Sequence, residues 1–324
     1  MEPGNGISVI ICCYNSSLRL PQTLKHLALQ QVPKEIGWEI IVVNNASADN
    51  TADVAKNEWL KYNLRDIILK IEDEPKPGLS NAREKGIQSS KYDYIIFCDD
   101  DNWLDENYLV TAYNIISKNS KIAALGGQST ATSTNDFPGW FESSKHDYAV
   151  GQQAAESGDV TWRQFLWGSG ITIRKDVYKS AFLNFPSLLT GRKGKELSSG
   201  EDSEMCIRFI LMGYRLYYSE QLKFTHFIAQ ERLNITYYDN MVKGFVKAYE
   251  TLSLYRKFID AREMGLIRKY SSFLKSVLKM FIISTTHVKR WNVYIENLNI
   301  YIISGLQFKT LDKEIVNIKR LTTN

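Results

Sequence analysis

The chain has 324 residues, 44% of them apolar and 23% charged, with a net charge of +4. That length and apolar content can supply a sizeable core, which excludes a disordered chain, and so small a net charge gives no ground for expecting a nucleic-acid partner. Of the four cysteines, Cys12, Cys13 and Cys98 fall in apolar runs and Cys206 in an amphipathic stretch, without a CxxC pair, which points to reduced thiols rather than a disulfide framework.

Apolar, β-branched runs at 7–13, 39–43, 67–71, 94–98 and 122–125 read as strands, and the stretches at 18–31, 50–61, 80–89 and 105–117 read as helices. Strands this short and apolar are usually buried on both faces, and helical crossovers of this length make neighbours parallel. The first 130 residues therefore predict an open, mostly parallel sheet covered by helices. In such sheets ligands bind beyond the carboxyl ends of the strands. Those ends carry Tyr14 and Asn15, then Asn44, Asn45 and Ser47, then Asp99, Asp100 and Asp101.

After residue 130 the alternation gives way to an aromatic-rich stretch, "FPGWFESSKHDYAVGQQ", and then to "WGSGITIRKDVY", a strand leading into a helix. "NFPSLLTGRKGKELSSGED" reads as a long surface loop, of the kind that closes over sites, and it delivers the chain to a helix opening at Glu201 and Asp202. Its Arg192, Lys193 and Lys195 repel one another among Gly191, Gly194 and Gly200, so residues 188–199 are expected to order around an anion. Beyond "LKFTHFI" the pattern is helical.

The run "YIIFCDDDNW" ends an apolar strand in three adjacent carboxylates. In an extended segment Asp99 and Asp101 point one way and Asp100 the other. Two carboxylates ~6–7 Å apart at an effective dielectric of ~20 repel by roughly 2–3 kcal/mol. A divalent cation would reverse that cost, and hard oxygen ligands at a strand end suit Mn²⁺ or Mg²⁺. The alternative is that one aspartate caps the helix that follows while the others are solvated.

Five segments in order, "ISVIICCYN", "IIVVNNASADNT", "GLSNAREKGI", "FCDDDNWLDENYL" and "GEDSEMCIRF", together resemble the family-2 glycosyltransferases of the GT-A fold. Asn44 departs from that pattern, where the family commonly has Asp. The resemblance implies an α/β fold, a Rossmann-like, mostly parallel sheet flanked by helices, with a helical C-terminal extension. Residues 1–250 would form the GT-A domain, with a nucleotide-binding half at 1–130 and an acceptor and catalytic half at 131–250. Residues 251–324 would form the basic helical extension. The implied reaction is inverting transfer from a nucleotide sugar, a UDP-sugar, to a hydroxyl of a glycan or lipid-linked oligosaccharide.

The same resemblance implies the roles. Asp202, beside Glu201, would be the general base. Asp99, Asp101 and His226 would hold Mn²⁺ or Mg²⁺, with Asp99 also toward the ribose and Asp100 beside them. Tyr14, Asn15, Asn45 and Arg83 would meet the nucleotide, and Trp167, Gly168 and Ser169 the donor sugar and acceptor. Plainer roles stand next to these: Asp202 as a helix cap, Arg83 as a surface side chain, Tyr14 as a core aromatic. Trp140, Phe141 and Trp162 are stacking faces or core, while His26, His146 and His287 are taken as structural. The rival functions are transfer to a polyprenyl phosphate, which usually comes with membrane spans, and an inactive nucleotide-sugar-binding scaffold.

Residues 251–324 hold 13 Lys/Arg against 5 Asp/Glu, which leaves the first 250 at −4. Phe273, Val277, Met280 and Phe281 share a helical face near Lys275 and Lys279. Such a face suits an anionic membrane surface, contacted through 255–310, or a dimerisation arm. No run reaches the ~18 apolar residues of a membrane span, and the N-terminus has no basic n-region or cleavage site. The expectation is a cytoplasmic protein, peripheral on the inner face of the membrane.

Overall fold

The computed structural model describes residues 4–64, 66–183, 185–189, 191–192 and 199–263, isolated residues between 271 and 278, and a last stretch at 313–322. The first half alternates as its pattern predicts. It runs through β1 (Gly6–Cys13), α1 (Leu20–Ala28), β2 (Gly37–Asn45), α2 (Thr51–Leu60), β3 (Ile68–Glu74), α3 (Leu79–Ser89) and β4 (Tyr94–Phe97). A short β5 (Asn102–Leu104), α4 (Tyr108–Lys118) and β6 (Ile122–Thr132) follow. The second half holds α5 (Phe141–Ser144), β7 (Gly158–Asp159), β8 (Thr172–Arg174), α6 (Lys175–Phe182), α7 (Glu201–Leu211), β9 (Arg215–Phe227) and α8 (Ile235–Glu263).

The strands form one sheet in the order β3-β2-β1-β4-β8-β6-β9-β5, with β7 on β9. β3, β2, β1 and β4 are parallel neighbours, and β6 and β9 form a second, longer parallel pair. The short β8 runs antiparallel between the two parallel blocks, and β5 and β7 run antiparallel on β9. β1 and β2 are almost wholly buried because both faces of a central parallel strand are covered. β3 is the edge, and its "KIEDE" charges suit a position with one unpaired side.

Helices cover both faces. Leu20, Leu24 and Leu27 of α1, Trp59 of α2 and Leu109 and Ile116 of α4 pack on one. Ala82 and Ile87 of α3, Val177 of α6, Met205 and Phe209 of α7 and Leu252 of α8 pack on the other. α8 runs straight through residue 250, where the charge pattern suggests a boundary. Its Ala248, Leu252, Tyr255, Phe258 and Ile259 share the core of the sheet, joined by Ile318 and Leu321 of a helix over Lys313–Leu321. The packing continues through that position, and most of the basic surplus of 251–324 lies beyond residue 263. The expected apolar face with Phe273, Met280, Phe281 and Lys279 lies outside the described residues. No helix among the described residues is long and apolar enough to cross a membrane.

A buried ionic knot ties α7 to α8 and to the chain before residue 190. Glu204 and Arg208 are both fully buried and lie 2.8 Å apart. Glu204 also accepts from the Tyr255 hydroxyl at 2.6 Å and from the backbone N–H groups of Leu188 and Leu189, both at 2.9 Å. Arg208 donates to the carbonyls of Ala181 at 3.0 Å and Pro186 at 2.9 Å. Arg208→Met should strand the Glu204 charge and cost about 3–5 kcal/mol. Urea denaturation checks this, and a midpoint equal to that of the unsubstituted chain would contradict it.

Candidate active site at the strand ends

A cavity of about 940 Å³ opens where β1 and β4 end and α3 and α7 begin. The aspartate triplet reaches it through β5, which pairs with the end of β9 and sets Asn102 opposite His226. The Phe227 N–H donates to the Asp101 carbonyl at 2.8 Å and locks the turn. Asp100 receives Arg19 Nη2 at 2.6 Å, and its carbonyl accepts from the Thr23 hydroxyl at 2.8 Å, which anchors α1. Asp99 Oδ2 accepts from the Ser169 hydroxyl at 2.8 Å. Asp101 Oδ2 receives Arg232 Nη1 at 3.0 Å, and His226 Nε2 stands 3.5 Å from Oδ1.

Charge balance in the triplet follows from these partners. Burial, then the nearby Asp101 charge, raises the carboxyls of Asp99 and Asp100 above the usual range. Burial also opposes ionisation of Asp101, but His226 and Arg232 outweigh it and hold that carboxyl well below the usual range. Arg19 and Arg232 thus supply cations that the triplet needs, and neither was singled out from the sequence.

The donor set fits a hard divalent ion. The buried His226 ring has Nδ1 2.8 Å from the Tyr148 carbonyl, which can only accept, so Nδ1 carries a proton. Nε2 then faces Asp101 either protonated or with a lone pair open to a cation, the orientation usual for a ligating histidine. Among the described residues no three acidic, His or Cys side chains are gathered into a cage. Ions of the Mg²⁺ class use one or two carboxylates together with phosphate oxygens and waters, so no protein cage is required.

The second functional cluster sits at the start of α7. Gly200, at φ +101°, turns the chain into the helix so that Glu201 and Asp202 face the cavity. Arg83, 6% exposed, rises from α3 over the Phe97 ring and places Nη1 2.5 Å from Asp202 Oδ1. Burial works against the Arg83 charge, but Asp202 and Glu201 more than offset it, and its pKa lies above the ordinary arginine value. A Cβ on Gly168 would fall 2.1 Å from Asp202 Oδ2, so the carboxylate is gripped between a guanidinium and bare backbone. The Glu201 carboxyl is pushed up to about 7 by burial and then by the Asp202 charge.

The structure brings Tyr14, Asn45, Arg83, Asp99, Asp100, Asp101, Trp167, Gly168, Ser169, Glu201, Asp202 and His226 to one cavity. Tyr14 is 48% exposed at the cavity, which rules out the core-aromatic alternative. Arg83 is not the surface side chain of the plainer alternative: it is buried and ion-paired with Asp202. Asn15 is not among the lining residues. It bridges two loops instead, with Oδ1 accepting from Ala48 N–H at 2.8 Å. The Asn45 amide holds the loop before α3, donating to the carbonyls of Glu74 and Lys76 and accepting from Gly78 N–H.

Trp140 and Phe141 pack with Tyr148 in a small core, whereas Trp162 is exposed. His146 lines the cavity next to Trp167, and His287 lies outside the described residues. Of the 188–199 loop, Leu188 and Leu189 are tethered to Glu204 and the Arg192 carbonyl accepts from Leu79 N–H. Lys193, Gly194 and Lys195 lie outside the described residues.

A family model described as "Glycosyl transferase family 2" matches residues 8–182. The poly-beta-1,6-N-acetyl-D-glucosamine synthase of Staphylococcus epidermidis is 25% identical over 146 residues, 45% of this chain and 34% of that protein. The poly(ribitol-phosphate) beta-glucosyltransferase of Bacillus spizizenii is 32% identical over 120 residues, 37% of this chain and 18% of that one. The matches thus span about a third or less of these curated relatives' length. Among solved structures, S. aureus TarS 1-349 in complex with UDP-GlcNAc superposes with a TM-score of 0.56 at 17% identity, covering 91% of this chain and 80% of that one.

Proposed function

This chain belongs to glycosyl transferase family 2, and from that premise we propose that it transfers a sugar from a UDP-sugar to a hydroxyl of a glycan acceptor, inverting the anomeric carbon. The observation that carries the reading is that one cavity is lined both by the Asp99–Asp101 triplet and by an ion-paired carboxylate, Asp202. The donor is suggested by the UDP-GlcNAc complex of TarS. A polymeric envelope glycan as acceptor is suggested by the names of the two sequence relatives.

Asp202 takes the proton from the acceptor hydroxyl as that oxygen forms a bond to C1 of the donor sugar. The bond from C1 to the diphosphate breaks on the opposite face, and its electron pair leaves with UDP. Arg83, ion-paired with Asp202, fixes the direction of that carboxylate. Asp99, Asp101 and His226 would hold a divalent ion, whose chemistry is to stabilise charge on the departing diphosphate. Tyr14 presents an exposed ring for the base, and Trp167 and Ser169 border the sugar.

Two measurements follow. UDP-GlcNAc or UDP-glucose with Mn²⁺ should raise the melting temperature, since ligand at ~100 times its dissociation constant adds ~2.7 kcal/mol, and UDP should be released once acceptor is added. Binding without release under any acceptor would identify a scaffold, and no binding would contradict the reading. Gly168→Ala should push Asp202 aside and slow transfer about 100-fold with the melting temperature kept. Transfer at the unsubstituted rate would mean that the Asp202 position is not critical.

A further inference from the structure

Six arginines line the cavity, and they divide into two sets. Arg19, Arg83 and Arg232 are ion-paired with Asp100, Asp202 and Asp101. Arg163, Arg192 and Arg256 have no carboxylate within ion-pair distance among the described residues. Arg163 is half-buried, and its Nε is buried without a hydrogen-bond partner among them. Its guanidinium lies over the Phe165 ring at 4.7 Å and near Trp162 at 5.9 Å. Arg256 lies 5.9 Å from the Tyr249 ring on α8.

A cation held half out of water without a counter-charge is costly, and an incoming anion removes that cost. Burial also lowers the Arg163 pKa, the shift expected of a charge lacking its partner. A guanidinium stacked on an aromatic face keeps its N–H fork free at the edge, in the geometry that grips phosphate or carboxylate bidentately. Of the cavity-lining acids, Glu201 feels the Arg192 charge, whereas Asp147 accepts from Tyr238 and neither Asp147 nor Glu231 is ion-paired with Arg163 or Arg256 among the described residues. The three arginines come from the turn at Thr161–Arg163, the 188–199 loop and α8, none of which carries an aspartate of the triplet.

We infer that the acceptor is a polyanion, a glycan with phosphate or carboxylate repeated along it, seated on Arg163 and Arg256 with its neutral units against Phe165 and Tyr249. This rests on the glycosyl-transfer reading and adds the acceptor's charge to it. The donor diphosphate belongs with the triplet, so these arginines serve a second anionic ligand.

The test reads binding rather than turnover. Three oligomers of equal length, phosphodiester-linked, uronate-containing and neutral, are titrated into the full chain with UDP present, following tryptophan fluorescence at low and high salt. One of the two anionic oligomers should bind at least about tenfold more tightly than the neutral one and lose that advantage at high salt. The tighter of the two names the anion. Arg163→Gln with Arg256→Gln should remove the preference and leave neutral binding in place. Equal affinities for all three oligomers, or a preference that survives the double substitution, would overturn the proposal. Absence of transfer with the preference intact would count against the proposed reaction alone.

Discussion

Asp202→Asn should cut transfer by about 10²–10⁴-fold, the range expected when a positioned general base is lost, and leave UDP affinity nearly unchanged. The amide keeps the carboxylate's shape, and its oxygen can still accept from Arg83, so the joint between α3 and α7 survives. What it cannot do is take a proton from an acceptor hydroxyl. The substitution also removes one of the two main influences that raise Glu201, which should therefore titrate below about 7 in the variant. Steady-state rates, UDP calorimetry and a urea melt on the same preparation separate the outcomes. Gly200 is the N-cap of α7 and no side chain caps that helix, so a variant that keeps most of its turnover would reduce Asp202 to an ion-pair partner of Arg83, and one that fails to fold would make its role structural.

The second large effect concerns Asp101. In the unsubstituted chain UDP should bind far more tightly with Mn²⁺ than with chelator. Asp101→Asn should weaken binding at least about 100-fold in the presence of the ion, because even the outer partners of metal ligands cost 10–100-fold when lost. The variant also leaves Arg232 without its carboxylate, so a melt must accompany the titration. Loss of the Mn²⁺ dependence with a folded chain supports the assignment of Asp99, Asp101 and His226. Equal UDP affinity with and without Mn²⁺ in the unsubstituted chain would sink it.

Much of this was legible from residue pattern. Local periodicity placed β1, β2, β3 and β4 and the helices between them, because each central parallel strand is a short apolar run and each crossover helix is amphipathic. The ordered segments picked out Asp99, Asp101 and Asp202, the family resemblance added His226, and all four line one cavity. What local pattern could not supply was partnership across the chain. Arg19 and Arg232 lie 81 and 131 residues from the aspartates they neutralise, and nothing near either one in sequence marks it. The three residues of β5 are too few for a periodicity, yet they carry the triplet to His226. A boundary at residue 250 rests on charge composition, which carries no information on packing, and the buried face of α8 continues the core across it.

The claim most exposed to a single measurement is inversion by one displacement at C1. Transfer from an α-linked UDP-sugar to a defined oligomeric acceptor, followed by proton NMR of the isolated product, reads the anomeric configuration directly. A β-linked product is predicted, since in the proposed reaction Asp202 deprotonates an acceptor that approaches from the face opposite the diphosphate. An α-linked product would contradict the assignment of Asp202 and the single-step reaction together.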